Sequence, residues 1–190
     1  AGESPEAAAR MARYQALESA MTDHSILVTG HHQDDQAETV LLQLLRGSGA
    51  KGLCAMAEWK ALSRGWHYRP LLTYTRPQLE QVAQNQHLTW IEDPSNASLH
   101  YARNALRHKI LPLLAQFWPG YRKTLTRSAR LLAESDDLLN QFACEQLIQL
   151  GATRDHLPLS ALGDYTPAQQ ALLLRTWLSA FDQPLLSERQ

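Results

Sequence analysis

The spacing of apolar positions changes several times along the chain, and each change marks an element. Ile26-Leu27-Val28 is a short continuous apolar run, the pattern of a buried strand. Ala37, Val40, Leu41, Leu44 and Leu45 then recur at helical spacing and predict a helix with one buried face. Upstream, Ser4-Pro5-Glu6 reads as a helix start with Ser4 as cap, and the Ala-rich run to Met21 as the helix. Downstream, Trp66 to Leu72 and Leu88 to Ile91 read as further strands. Thr75-Arg76-Pro77-Gln78 forms a capping box whose helix carries Leu79, Val82 and Ala83 as a buried stripe. Ala102, Leu106, Ile110 and Leu113 predict a core-facing stripe on a helix that Pro112 and Pro119 break. Strands alternating with helices imply a parallel sheet covered by helices.

From Tyr121 the pattern becomes helical throughout. Leu125, Leu132 and Leu139 repeat every seven residues, with Ala129, Phe142, Ala143 and Leu147 on the same side of a helix that runs toward Leu150. Thr166-Pro167-Ala168-Gln169 is a second capping box, opening a helix through Leu172, Leu173, Leu174 and Trp177. After residue 120 only Leu157 to Leu159 offers a trace of strand. The expected architecture is an α/β domain over residues 1–119 followed by an all-helical unit over 120–190.

Composition narrows the function classes. The 190 residues are 44 % hydrophobic and carry 18 Lys+Arg against 19 Asp+Glu, so bulk charge exerts no pull toward nucleic acid. Any such contact must come from a local patch. Cys54 and Cys144 lie far apart in no ligand spacing and read as small buried residues of a reducing compartment. Neither a signal peptide nor a long apolar run is present, so a soluble, cytoplasmic protein is expected, with no membrane role. The chain starts at Ala1 without methionine and ends abruptly at Leu186-Ser187-Glu188-Arg189-Gln190, so a longer parent protein is expected.

The chemistry concentrates between the first strand and its helix. His31 and His32 precede the helix, and Asp34, Asp35 and Glu38 occupy its first turn, with Asp35 and Glu38 neighbours on one face. That junction is where open α/β sheets place their ligands. Two carboxylates with an imidazole can hold a substrate ammonium and take its proton. They can equally contribute to a binuclear metal site, or the acids can simply favour the positive helix end. Spacing leaves all three open. Arg103 and Arg107, four residues apart with Asn104 near them, form a basic edge that is either a solvated face or a clamp for phosphate or carboxylate. Arg10 and Arg13 share a face of the first helix. The glycine-rich loop from Arg46 to Gly52 is not a GxxxxGKS/T P-loop, and Gly47 most simply ends the helix.

Taken together, Gly30-His31-His32, Asp35-Gln36, Glu38-Thr39, Leu42, Arg46-Gly47, Gly49 and Gly52-Leu53 resemble the signature of the tRNA(Ile)-lysidine synthetases. That family belongs to the PP-loop (N-type) ATP pyrophosphatase superfamily. In matching order stand Glu6 to Arg10 with Arg13-Tyr14, Arg69-Pro70-Leu71-Leu72, Trp90 to Asn96, Arg103 to Arg107 with Leu111-Pro112, and Arg175 with Trp177-Leu178. The resemblance implies a Rossmann-like PP-loop domain followed by helical tRNA-contacting structure, with ATP carrying Mg²⁺ and no dedicated protein metal site. It further implies adenylation of the wobble cytosine in the CAU anticodon of tRNA(Ile), then displacement of AMP by L-lysine to give lysidine. By motif match, His31, Asp35 and Glu38 would hold and help deprotonate the lysine ammonium, supported by His32, Asp34 and Asn104. Arg10, Arg13, Arg46, Arg103 and Arg107 would face phosphate, lysine carboxylate or tRNA. A homodimer is a further expectation. The superfamily's Ser-Gly-Gly-x-Asp-Ser pyrophosphate loop is not in these residues, so the domain is expected to be N-terminally incomplete and the 190 residues alone inactive toward ATP. A metal-dependent hydrolase and another PP-loop tRNA-modifying enzyme are the alternatives.

Overall fold

The computed structural model describes residues 5–91, 98 and 101–182. Two compact units divide within one long helix, Ala1–Leu132 and Ala133–Gln190.

The first unit is built on three short strands. α1 (Pro5–Ala20) leads to β1 (Ser25–Val28), then α2 (Gln33–Leu45) and the single turn α3 (Ala50–Leu53). β2 (Trp59–Leu62) and β3 (Gly65–Tyr68) form an antiparallel hairpin, and β3 pairs parallel with β1, giving the order β1-β3-β2. The sheet is therefore mixed, not all-parallel. β2 escaped prediction because Trp59-Lys60-Ala61-Leu62 has no apolar run of its own and is recruited by its partner strand. β1 and β3 approach closely at Gly65, where a Cβ would stand 2.0 Å from the Ser25 carbonyl oxygen. Pleating puts Leu27, Thr29, His67 and Arg69 on one side, with the Thr29 N–H donating to the Tyr68 carbonyl at 3.1 Å. On the other side Ile26, Val28, Trp59 and Trp66 remain exposed, and the Trp59 and Tyr68 rings stack at 4.1 Å.

Helix starts follow the capping rules. Thr75 caps α4 (Arg76–Asn85) in a reciprocal box with Gln78. Thr75→Ala is expected to cost about 1 kcal/mol in thermal or urea unfolding, the usual value of a lost N-cap. Gly47, at φ 69°, supplies the left-handed residue after α2. The predicted stripes fare less well. Val40 is buried, but Leu44 and Leu45 at the far end of α2 are 56 % and 74 % exposed. α4 buries none of its residues completely, and Leu88 to Ile91 forms no strand.

The largest correction concerns the region after Tyr101. α5 (Ala102–Ala105) passes into a π-helical turn (Leu106–Ile110) and then α6 (Leu111–Phe117). In a π turn the hydrogen bond spans five residues. Leu106 and Leu111 therefore both face the core, while Ile110 and Leu113 are exposed. Pro112 sits in the first turn of α6, where its missing N–H costs little, so it does not break the helix. Ala37, Leu111 and Tyr121 form the buried cluster beside the site, with Leu41, Leu114 and Leu125 against it.

α7 (Tyr121–Gln149) runs out of the first unit. In the second unit, Ala143 and Leu147 of this helix pack with Leu157, Leu162 and Leu173. Leu159–Asp164 is a 3₁₀ turn, which replaces the trace of strand. α8 (Pro167–Asp182) starts at the Thr166–Gln169 capping box. Leu139 is exposed, so the seven-residue repeat is only partly a packing stripe. Neither cysteine forms a disulfide among the described residues; Cys144 is exposed and Cys54 half-buried, contrary to the expectation that both are buried. Among the described residues no helix is long and apolar enough to cross a membrane.

Candidate active site

The polar cluster lies where β1 gives way to α2. His32 is the N-cap, its Nδ1 accepting from the Asp35 N–H at 3.4 Å while Asp35 Oδ2 accepts from the His32 N–H at 3.0 Å. This reciprocal box fixes both side chains at the positive helix end. Asp34 turns the other way. Its Oδ2 accepts from the Arg76 backbone N–H at 2.8 Å and its Oδ1 from Arg122 Nε. Burial disfavours the Asp34 charge, but the Arg76 N–H and then the Arg122 guanidinium outweigh it and hold the carboxyl below its ordinary value.

Glu38 is the centre. It is 0 % exposed and takes a two-pronged contact from Arg107, Nε to Oε1 at 2.6 Å and Nη2 to Oε2 at 3.0 Å. The same Arg107 Nη2 donates to Asp35 Oδ1 at 3.2 Å. Arg103 stands 3.6 Å from Glu38 Oε2 and reaches Thr39 Oγ1 at 3.4 Å. Burial pushes the Glu38 carboxyl up, the Arg107 contact opposes that shift, and the Asp35 charge adds to it. A fork-to-fork pair of this kind is the strong form of a carboxylate–guanidinium contact. The π turn positions it, because it turns Arg107 inward together with Leu106.

Three carboxylates thus meet three guanidinium groups, and each acid has a cation partner. The basic edge expected on Arg103 and Arg107 is an inward face. Beside it opens a cleft of about 310 Å³, lined among others by His32, Asp34, Arg76, Arg107, Tyr121 and Arg122. Its size is at the lower end for small-molecule sites. Among the described residues no group of three or more His, Cys, Asp or Glu side chains is arranged to hold a metal. His24 and His87 take left-handed backbone conformations at φ 64° and 53°.

The remaining candidates scatter. Asn104 is buried and donates from Nδ2 to the Ser98 carbonyl at 2.9 Å, tying a loop to α5. Arg46 is exposed at the other end of α2, about 16 Å along the helix from Asp35 at 1.5 Å per residue. Arg13 is exposed on α1. The side chain of Arg10 and residues 92–96 of the Trp90 to Asn96 motif lie outside the described residues.

His31 belongs to a second set of contacts that sequence reasoning did not find. Its Nδ1 lies 2.7 Å from Thr29 Oγ1, which lies 2.8 Å from His67 Nε2; His67 Nδ1 lies 2.9 Å from Arg69 Nη2. His67 is 1 % exposed and Arg69 5 %. The period-two spacing of His67 and Arg69 was the available signal. Arg122 had none, since only the tertiary fold brings the start of α7 to Asp34. Gln36 serves the scaffold, with its amide group exchanging two hydrogen bonds with the Met56 backbone.

An α/β fold with its polar groups gathered beyond the carboxyl ends of parallel strands and at a helix N-terminus is the class this geometry defines. Residues 1–114 match the PP-loop domain family, and the chain belongs to it. Its curated relatives are more particular. The chain is 41 % identical to a tRNA(Ile)-lysidine synthase of Vibrio atlanticus, covering 100 % of this chain and 44 % of the relative. It is 47 % identical to that of Methylococcus capsulatus over 93 % of this chain and 41 % of the relative. For the synthase of Pseudomonas putida the identity is 45 % over 94 % and 43 % respectively. The chain thus spans less than half the length of these relatives. Among solved structures, a U34-tRNA thiolase, NcsA, from Methanococcus maripaludis with its 4Fe–4S cluster aligns with a TM-score of 0.53. At 20 % identity over 70 % of this chain and 45 % of that one, it shows the shared fold alone.

Proposed function

We propose that the protein is part of a tRNA(Ile)-lysidine synthase, carrying the amine side of the active site and helical structure that contacts tRNA. The observation that carries this reading is identity of 41–47 % along nearly the whole chain to synthases of that name. In the proposed reaction ATP, bound with Mg²⁺, adenylates the wobble cytidine of the CAU anticodon and pyrophosphate leaves. The lysine ε-amine then attacks carbon 2 and AMP leaves. Only the neutral amine is a nucleophile, so a carboxylate must hold the ammonium where its proton can be lost.

We assign that role first to Asp35. Its side chain is 14 % exposed and meets Arg107 through one oxygen, whereas Glu38 is fully covered and holds Arg107 through both. Glu38 is better suited to anchoring Arg107 and Arg103 than to meeting a substrate directly. Arg103, Arg107 and Arg122 supply positive charge for phosphate or carboxylate oxygens, and the exposed Arg13 and Arg46 suit the tRNA backbone. Each carboxylate of the cluster has a guanidinium partner, so Mg²⁺ is best placed on the ATP phosphates. The reaction on tRNA places the protein in the cytoplasm.

The decisive assay follows carbon-14 lysine into a CAU-anticodon tRNA(Ile) transcript with full-length protein and ATP. ATP-dependent incorporation is expected, and its absence would sink the reading. Asp35→Asn is expected to raise the KM for lysine about tenfold or more, the loss of one charge-assisted contact, while tRNA binding survives. If lysine KM is unchanged, the ammonium sits elsewhere.

A further inference from the structure

We infer that Arg69, through His67 and Thr29, holds His31 in the tautomer that carries its proton on Nε2. His31 then presents a hydrogen-bond donor to an anionic oxygen, not a base to an ammonium. The identity of that oxygen rests on the lysidine-synthase reading; the tautomer does not.

Polarity follows from what each group can do. A guanidinium only donates, so His67 Nδ1, 2.9 Å from Arg69 Nη2, must accept. The His67 proton is then on Nε2 and is donated to Thr29 Oγ1 at 2.8 Å. Thr29 has one hydroxyl hydrogen. Among the described residues its other side-chain partner is His31 Nδ1 at 2.7 Å, which receives that hydrogen. A neutral imidazole that accepts at Nδ1 carries its proton at Nε2.

Every donor in the chain points the same way, from a buried cation toward His31. Hydrogen bonds aligned in series polarise one another, and all of them strengthen when the last proton meets negative charge. Arg69 is well placed to start the series, being 5 % exposed and fixed by a 2.6 Å bond to the Ala57 carbonyl. His67 is packed near Tyr14, with ring centroids 5.7 Å apart, so it has little freedom to flip. Arg69, His67 and Thr29 are positioning residues, and the group they favour at His31 is a phosphate or carboxylate oxygen. In the proposed reaction the sources are ATP and the lysine carboxylate.

The test uses full-length protein labelled with nitrogen-15 histidine and long-range proton–nitrogen spectra, with His31 assigned by the signal lost in His31→Gln. Wild type and Thr29→Ser, which keeps the hydroxyl, are expected to show His31 protonated on Nε2 and bare on Nδ1. Thr29→Val and Arg69→Met are expected to mix the tautomers; if Arg69→Met fails to fold, the Thr29 pair carries the result. In the lysine-incorporation assay Thr29→Val is expected to raise one KM about tenfold, as for a lost bond to a charged group, with Thr29→Ser restoring it. A rise for ATP identifies phosphate. A rise for lysine that vanishes with lysinamide identifies the carboxylate. A wild-type proton on Nδ1, a tautomer indifferent to Thr29→Val, or both KM values unchanged would overturn the inference. Should wild type form no lysidine, the function reading fails while the spectra still decide the tautomer.

Discussion

Replacing Arg107 with methionine is expected to lower the unfolding free energy by about 3 kcal/mol, the cost of taking from a buried charge the closer of its two cations. Glu38 is fully covered, Arg107 holds both of its oxygens, and Arg103 at 3.6 Å is the cation that remains. Methionine keeps most of the volume and isolates the electrostatic loss. The double variant Glu38→Gln/Arg107→Met is expected to recover much of the loss, because neither charge is then stranded. A double-mutant cycle in urea therefore separates the pair from ordinary packing. The pH dependence has a definite sign. Glu38 already sits above its ordinary 4.5, and removal of the guanidinium leaves burial unopposed by Arg107. A carboxyl raised in the folded state contributes stability below its unfolded value and loses it as pH rises through the folded value. The deficit of Arg107→Met is thus expected to be larger at pH 8 than near pH 4.5. A deficit independent of pH would assign the loss to packing.

Asp34→Ala is expected to cost about 2–4 kcal/mol, since it deprives both a backbone N–H and a guanidinium of their acceptor. Asp34 ties the first turn of α2 to the start of α4 through the Arg76 N–H and to the start of α7 through Arg122. The three helices therefore loosen together, and hydrogen exchange should quicken at Arg76. Here the pH effect runs the other way. The folded Asp34 sits below its ordinary 3.8, so its contribution is present above that value and fades as pH falls through the folded value. Below that range the gap between wild type and Asp34→Ala should narrow, because the protonated carboxyl keeps an acceptor for the Arg76 N–H but loses its charge pairing with Arg122. A gap independent of pH would mean that the carboxylate charge is not what holds the helices.

Much of the site was legible because its signals are local. The capping boxes at Thr75 and Thr166 and the left-handed Gly47 are decided within a few residues, and the His31 to Thr39 cluster lies at one strand–helix junction. The polarity of the arginine face was not legible. Period 3.6 assigns Ile110 to the core and Arg107 to its rim, but the π turn resets the phase between Leu106 and Leu111 and turns Arg107 inward. Nothing in five consecutive residues announces a π turn, since its stability comes from the Arg107–Glu38 pair and from Leu111 packing on Ala37 and Tyr121. Leu44 and Leu45 show the converse: they keep the right period yet remain exposed, because among the described residues nothing covers those two side chains.

Returning to His31, Asp35 and Glu38, their proximity follows from sequence alone, as does the PP-loop resemblance, because helix geometry and ordered motifs are properties of the chain. What stands beside each group is decided by residues 36 to 88 positions away. Glu38 and Asp35 are matched to Arg107, Asp34 to Arg122, and His31 through Thr29 to His67 and Arg69. A carboxylate's charge and an imidazole's tautomer depend on what stands within about 3 Å, and that neighbourhood exists only once the chain has folded.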